Sequence, residues 1–257
     1  MSRDNLVPIE DCITAKHYLR LSGSYDDFLF YSPEFVHCLS AKMVERLRLE
    51  EDDVLVDLGG GTGIYSREIL DQVPLRQPVL LIDPCQEMLD KAPKHPRLRC
   101  VCADALAFSK QPGSYDKIVI KETIHHVDDK ARLFRNLHER LAPGGVLLLV
   151  HIPPEIDYPL FEKALERSRT WHADPKELVR LLDEAGFAVR TDTVRYLHAL
   201  PKEKYFAMVR GRYMSLLSSF EDDELEAGLA EMAETYRDQN ILEFVDHFDF
   251  ITATNSF

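Results

Sequence analysis

No stretch of this chain approaches the roughly 20 consecutive apolar residues that a membrane-spanning helix needs. Its first residues, Met1 to Asn5, lack the basic segment followed by an apolar one that marks a secretory leader. The expectation is a cytoplasmic protein with no membrane partner. Cysteine is sparse and unpatterned: Cys12, Cys38, Cys85, Cys100 and Cys102 form an odd set without a Cys-x-x-Cys pair. This excludes a disulfide scaffold and a thiolate metal centre, and it reads as reduced thiols with no metal expected. Cys100 and Cys102 fall on one side of a single strand, and both are expected to point into the core. Positive charge is also short, with 31 Lys and Arg against 44 Asp and Glu, a net charge of −13. Such a surface repels phosphate backbones at long range, so a small-molecule partner gains over nucleic acid. Neither an internal repeat nor a low-complexity tract is visible.

Apolar residues, 45% of the 257, are ample for a sizeable core. Between about 53 and 152, short apolar runs alternate with amphipathic stretches: Val54–Asp57, Val79–Asp83, Leu98–Cys102, Lys117–Ile120 and Val146–Ile152. Runs this short between helical patterns imply parallel strands joined by crossover helices. Right-handed crossovers place ligands at the carboxyl ends of the strands. Leu141-Ala-Pro-Gly-Gly145 is a helix stop and turn before the fifth strand. Ile241–Ala253 adds a further strand, too far along the chain for a tight hairpin with the Val189–Leu197 run. The expected fold is therefore α/β, a doubly wound, mostly parallel seven-stranded sheet with helices on both faces. Residues 1–50 are expected to form a helical N-terminal cap and 51–199 the core. A helical lid insertion over 200–238 then precedes the final strand of 239–257. Both helical pieces are expected to cover the ligand mouth.

The most informative local feature is Asp57-Leu-Gly-Gly-Gly-Thr-Gly63, which follows a strand and precedes a helix. Gly59, Gly61 and Gly63 allow a tight turn and close approach of the backbone to a ligand. A dinucleotide turn aims its amides at a pyrophosphate, which a strand-end carboxylate would disfavour. Asp57 instead suits a ligand with a positive group, such as an amino-acid amine or a sulfonium. This segment resembles the first motif of the class I methyltransferases that use S-adenosylmethionine, acidic-x-Gly-x-Gly-x-Gly, and matches it at all four positions.

Twenty residues beyond Gly63 the second strand ends in Asp83, a carboxylate able to accept both hydroxyls of a ribose. The third ends at Asp104-Ala105, where the carboxylate can accept an adenine amine while the next backbone amide donates to the ring. Asp104 can equally cap the helix that follows. Asp57, Asp83 and Asp104 at three successive strand ends are the strongest signal in the chain. NAD is the rival ligand, but its Gly-x-Gly-x-x-Gly fingerprint read from Gly61 places Ser66 at the final position. The resemblance covers about residues 50–152. It implies S-adenosylmethionine as cofactor, packing of Pro84 and Met88 against the ribose and adenine, and Lys121 and Glu122, with Thr123, at the methionine end. It also implies that Tyr25, in Ser24-Tyr25-Asp26-Asp27, closes over the same end.

The fourth strand runs into Lys121-Glu-Thr-Ile-His-His126, the wall beside the transferred methyl. Methyl transfer needs alignment and a dry site, and a base only when the nucleophile carries a proton. His125 and His126 are the candidate catalytic bases; two adjacent residues on an extended segment could not both face the pocket. The expected activity is transfer of a methyl group from S-adenosylmethionine to a small-molecule acceptor by in-line displacement. A protein or RNA acceptor, and cofactor binding without turnover, are the alternatives. A homodimer is allowed, and the acceptor atom is left open.

Overall fold

The computed structural model describes residues 32–256. Its first element, α1 (Pro33–Leu47), starts where sequence rules place a helix start: Ser32 Oγ accepts from the Phe35 amide at 3.1 Å, and Pro33 occupies the first turn. Phe35, Val36, Leu39, Met43 and Leu47 recur at helical spacing and are buried as one stripe. The helix stops at Arg48, which adopts a left-handed conformation.

Strands and helices then alternate as β1 (Leu55–Leu58), α2 (Ile64–Gln72), β2 (Val79–Asp83), α3 (Gln86–Leu89), β3 (Leu98–Cys102), α4 (Ala105–Ser109) and β4 (Tyr115–Lys121). A short 3₁₀ turn at Ile124–His126 leads into α5 (Lys130–Arg140) and β5 (Leu141–His151). After α6 (Glu162–Trp171) and α7 (Pro175–Glu184) come β6 (Phe187–Pro201), α8 (Lys202–Arg210), α9 (Asp222–Thr235) and β7 (Ile241–Asn255). The seven strands form one sheet in the order β3-β2-β1-β4-β5-β7-β6. The first five are parallel, while β7 runs antiparallel to both β5 and β6. The central strands are apolar on both faces, as a sheet covered by helices on each side requires. One core packs α1 and α2 on one face; the other holds Phe108, Leu133, Phe134, Leu137 and Leu178 from α4, α5 and α7.

Two features differ from the sequence reading or sharpen it. Cys100 and Cys102 are exposed rather than core-facing, because β3 is the edge strand of the sheet. The last two strands pair over fifteen residues each, from Phe187↔Asn255 to Pro201↔Ile241, despite the insertion between them. β5 accompanies this ribbon only from Val146 to His151, which faces Asp249. The remainder, Ile241–Phe248 with its β6 partners, overhangs the carboxyl edge of the parallel strands.

Arg212 organises the insertion from within. Its guanidinium is buried and donates to the carbonyls of Leu217 and Phe220, each at 2.6 Å, and to Asp222 at 2.6 Å. α9 then packs on the body through Gly228, where a Cβ would lie 2.4 Å from the Phe161 ring. Gly228→Ala is therefore expected to destabilise the fold by about 1–3 kcal/mol through overpacking, measured as a lower urea midpoint with an unchanged m-value.

Candidate functional site

The turn after β1 brings the backbone close to its neighbours. Gly59, Gly61 and Gly63 have φ of 82°, 57° and 73°, in the left-handed region. A Cβ on Gly59 would lie 2.3 Å from the Thr123 side chain, and one on Gly60 2.5 Å from Asp57 Oδ2. The Gly59 amide donates to the Ile82 carbonyl at 2.7 Å, and Thr123 Oγ1 donates to the Gly59 carbonyl at 3.0 Å, tying the turn to the ends of β2 and β4. Beneath it Asp57 is buried and accepts from Ser66 Oγ at 2.6 Å. Burial pushes its carboxyl up to about 6; Ser66 opposes the shift, Asp83 adds to it and Lys121 counters it.

Asp83 ends β2 facing the turn. Its Oδ2 accepts from the Gly61 amide and its Oδ1 from the Cys85 amide, both at 2.9 Å, and burial raises its pKa against these bonds. Each oxygen keeps a second lone pair for a ligand. Met88 is buried beside the turn, with its Cε 3.3 Å from where a Gly61 Cβ would stand, while Pro84 is exposed. Asp104 is exposed and does cap α4, accepting from the Ala107 amide at 2.8 Å; Ala105 opens that helix. Tyr25 lies outside the described residues.

The wall after β4 is held by unusual backbone. Glu122 has φ of 51°, a strained value for a residue with a Cβ. Two contacts hold it there: its amide donates to the Val150 carbonyl at 2.8 Å, and its Oε1 accepts from the Ile152 amide at 2.6 Å. Burial lifts the Glu122 carboxyl to about 7, with Lys121 and the Ile152 amide opposing. Lys121 Nζ lies 4.6 Å from the Tyr65 ring centroid and 5.5 Å from that of Phe248. Burial lowers its pKa, and Glu122, Asp246 and Asp57 pull it back up.

His125 and His126 share the 3₁₀ turn rather than an extended segment, so their rings lie side by side with centroids 3.9 Å apart. α5 is capped by Asp129, which accepts from the Arg132 amide at 2.9 Å. His172, at the end of α6, packs edge-on to His125 at 5.5 Å. Burial holds His125 well below its ordinary value and takes His126 and His172 down to about 4.

A second polar group went unrecognised in the sequence. Asp246, buried in β7, accepts from His198 Nε2 of β6 at 2.8 Å and from the Tyr158 hydroxyl. Tyr205 and Tyr213 pair hydroxyl to hydroxyl at 3.2 Å nearby, and Asp246 raises the pKa of both beyond the effect of burial. The available signal was the alternation Leu242-x-Phe244-x-Asp246-x-Phe248-x-Phe250, in which a carboxylate breaks a buried apolar row. Arg210 pairs with Glu226 at the surface, while Tyr213 is buried.

Glu122 yields a pH prediction. A carboxyl whose pKa is raised on folding contributes stability that is complete below its ordinary 4.5 and is lost as pH rises through about 7. Glu122→Gln keeps an acceptor for Ile152 but cannot ionise. It should match the wild type near pH 4.5 and exceed it at pH 8 by on the order of 2 kcal/mol, as read from urea unfolding at the two pH values.

Among known proteins, a family model described as a methyltransferase domain matches residues 33–192, more than half of the chain. Phosphoethanolamine N-methyltransferase 2 of Caenorhabditis elegans is 25% identical over 68% of this chain, which spans 42% of that protein's length. Trans-aconitate 2-methyltransferase of Deinococcus radiodurans is 35% identical over 40% of this chain and 39% of its own. In fold the chain is similar to phosphoethanolamine N-methyltransferase 2 of Haemonchus contortus in complex with S-adenosyl-L-methionine. The TM-score is 0.58 at 18% identity, covering 100% of this chain and 60% of that one. A Bacillus subtilis protein, YcgJ, superposes with a TM-score of 0.62 at 16% identity over 86% of this chain and 99% of its own. The glycine cradle has no room for side chains and is ringed by carboxylates, which fits a cationic nucleoside cofactor, and the chain belongs to the class I S-adenosylmethionine-dependent methyltransferases.

Proposed function

We propose that the chain methylates a cytoplasmic small molecule at the carboxyl edge of the sheet, beneath the overhanging ribbon and its helical insertion. The observation that carries this reading is the closed geometry around the cradle. The Gly59–Gly63 turn is held by Ile82 and Thr123, and Asp83 is fixed by the Gly61 amide one strand away. In this reading Asp83 takes the ribose hydroxyls, with Pro84 and Met88 against the nucleoside. Asp104 retains an unengaged carboxylate oxygen for the adenine amine, and the Ala105 amide serves the ring. Asp57, Lys121 and Glu122 hold the amino-acid end, and Tyr25 covers it. The net charge of −13 favours a small acceptor over nucleic acid. The relatives named for phosphoethanolamine and trans-aconitate support the same class.

S-adenosylmethionine, when bound, supplies an electrophilic methyl group on a sulfonium. The protein's own work is then alignment and exclusion of water. The wall from Lys121 to His126, packed against Ile152 and roofed by β6 and β7, serves both ends. His126 is held neutral near pH 7 by burial, the protonation state in which an imidazole can take up a proton that the acceptor must lose. In this reading the insertion over 200–238 acts as the lid.

Calorimetric titration tests the reading. S-adenosylmethionine should bind and NAD should not, with Asp83→Ala weakening the former at least tenfold. Product should form on a panel of small acceptors, and binding without product on any of them would leave only the cofactor site standing. The buried carboxyl at about 6 adds a pH signature. A cationic ligand group favours ionised Asp57, so affinity should fall as pH drops through about 6, with proton release on binding. Asp57→Asn should remove that dependence; a pH profile unchanged by the substitution would count against an amine seated at Asp57.

A further inference from the structure

Four imidazoles meet at the carboxyl ends of β4 and β5: His125 and His126 on the 3₁₀ turn, His151 at the last residue of β5, and His172 after α6. Three of them, His125, His151 and His172, carry ring nitrogens without a hydrogen-bond partner. His172 is buried with neither ring nitrogen hydrogen-bonded, His151 is 1% exposed with Nε2 unpartnered, and His125 Nε2 is likewise buried without a partner. His151 Nδ1 reaches only the Ile152 carbonyl, at 3.2 Å. Buried nitrogens without partners cost stability, so such a group persists where something else uses them.

The charged groups facing the cluster indicate what that is. Lys130, at the start of α5, donates to the Val127 carbonyl at 2.7 Å and lies close enough for its charge to disfavour protonation of His125 and His126. His151 acts on His125 and His172 in the same way. The carboxylate that acts on the cluster is Asp249, opposite His151 across the β5–β7 pair. Among the described residues no group of three or more His, Cys, Asp or Glu is arranged to hold a metal ion, so the nitrogens do not converge as a cation site would require. Neutral rings that can donate a hydrogen bond and then accept a proton, with an ammonium beside them, suit an oxyanion.

We propose that His125, His151 and His172, together with Lys130, receive the anionic head of the methyl acceptor, a carboxylate or a phosphate. This rests on the methyltransferase site argued above and narrows its substrate class. The rings are neutral in the free protein because burial and their neighbours suppress protonation. An arriving anion reverses the balance, so binding takes up a proton near neutral pH. His151 and His172 then act as specificity-determining residues that read the acceptor's charge.

The test is calorimetry on the full chain saturated with S-adenosylhomocysteine, with inorganic phosphate and tricarballylate as separate probes. Each titration is run in two buffers of different ionisation enthalpy. One of the two anions should bind with net proton uptake, and which one binds separates a phosphate head from a carboxylate head. His172→Phe replaces two unpartnered nitrogens by an apolar ring, so its thermal midpoint should hold or rise while anion affinity falls at least tenfold. His151→Asn should weaken the anion to a similar degree, with S-adenosylhomocysteine affinity within twofold of wild type for both variants. Absence of binding by both anions, or equal affinity in wild type and both variants, would overturn the proposal. Failure of the wild type to bind S-adenosylhomocysteine would instead remove the cofactor site beneath it.

Discussion

The structure depends on how closely the chain approaches itself between β1 and α2. A Cβ on Gly59 or Gly60 would occupy space already filled by Thr123, Leu81 or the Asp57 carboxyl. Three strand ends are thereby brought to one point: β1 through the turn, β2 through Ile82 and Asp83, and β4 through Thr123. A side chain there would force these ends apart and with them every carboxylate that lines the cradle. Asp57 is buried for the same reason, since the turn that exposes the glycine amides also closes over the strand end.

Closing that edge of the sheet creates a second problem, which the protein answers with opposed titrations. Asp57 and Glu122 are pushed up by burial, whereas Lys121 and the histidines of the wall are pushed down. Each shift moves a group toward its neutral form, so the edge carries less formal charge than its composition suggests. The groups thereby stand within reach of a ligand's charge, which can tip them either way. Asp246 is handled differently. It takes hydrogen bonds from both Tyr158 and His198, and the His198 ring is itself packed among Phe35, Tyr196 and Phe244.

Much of this was legible from residue order. The strand ends at Asp57, Asp83 and Asp104 follow from short apolar runs that stop at a carboxylate, and the glycine spacing marks the turn. What escaped was set by position in the sheet. Cys100 and Cys102 alternate as core residues would, yet β3 is an edge strand and both are exposed. On an extended segment His125 and His126 could not both face the pocket, but a 3₁₀ turn sets their rings side by side at a 51° tilt. His151 reads as the end of a strand, with nothing nearby in sequence to show that His172, across α6, meets the same cluster.

By itself the sequence determined the alternation of strands and helices, the glycine cradle and the class of ligand that a ring of strand-end carboxylates favours. These are local properties, carried by periodicity and by residues within a few positions of one another. The tertiary structure decided the strand order, the overhang of β6 and β7, and the gathering of His198 with Asp246 and of His172 with His125. Those pairings join residues far apart in the chain, and their energies depend on burial, which no short stretch of sequence contains. The proton-binding behaviour of the edge follows from that burial, because removing water changes the balance between charged and neutral forms.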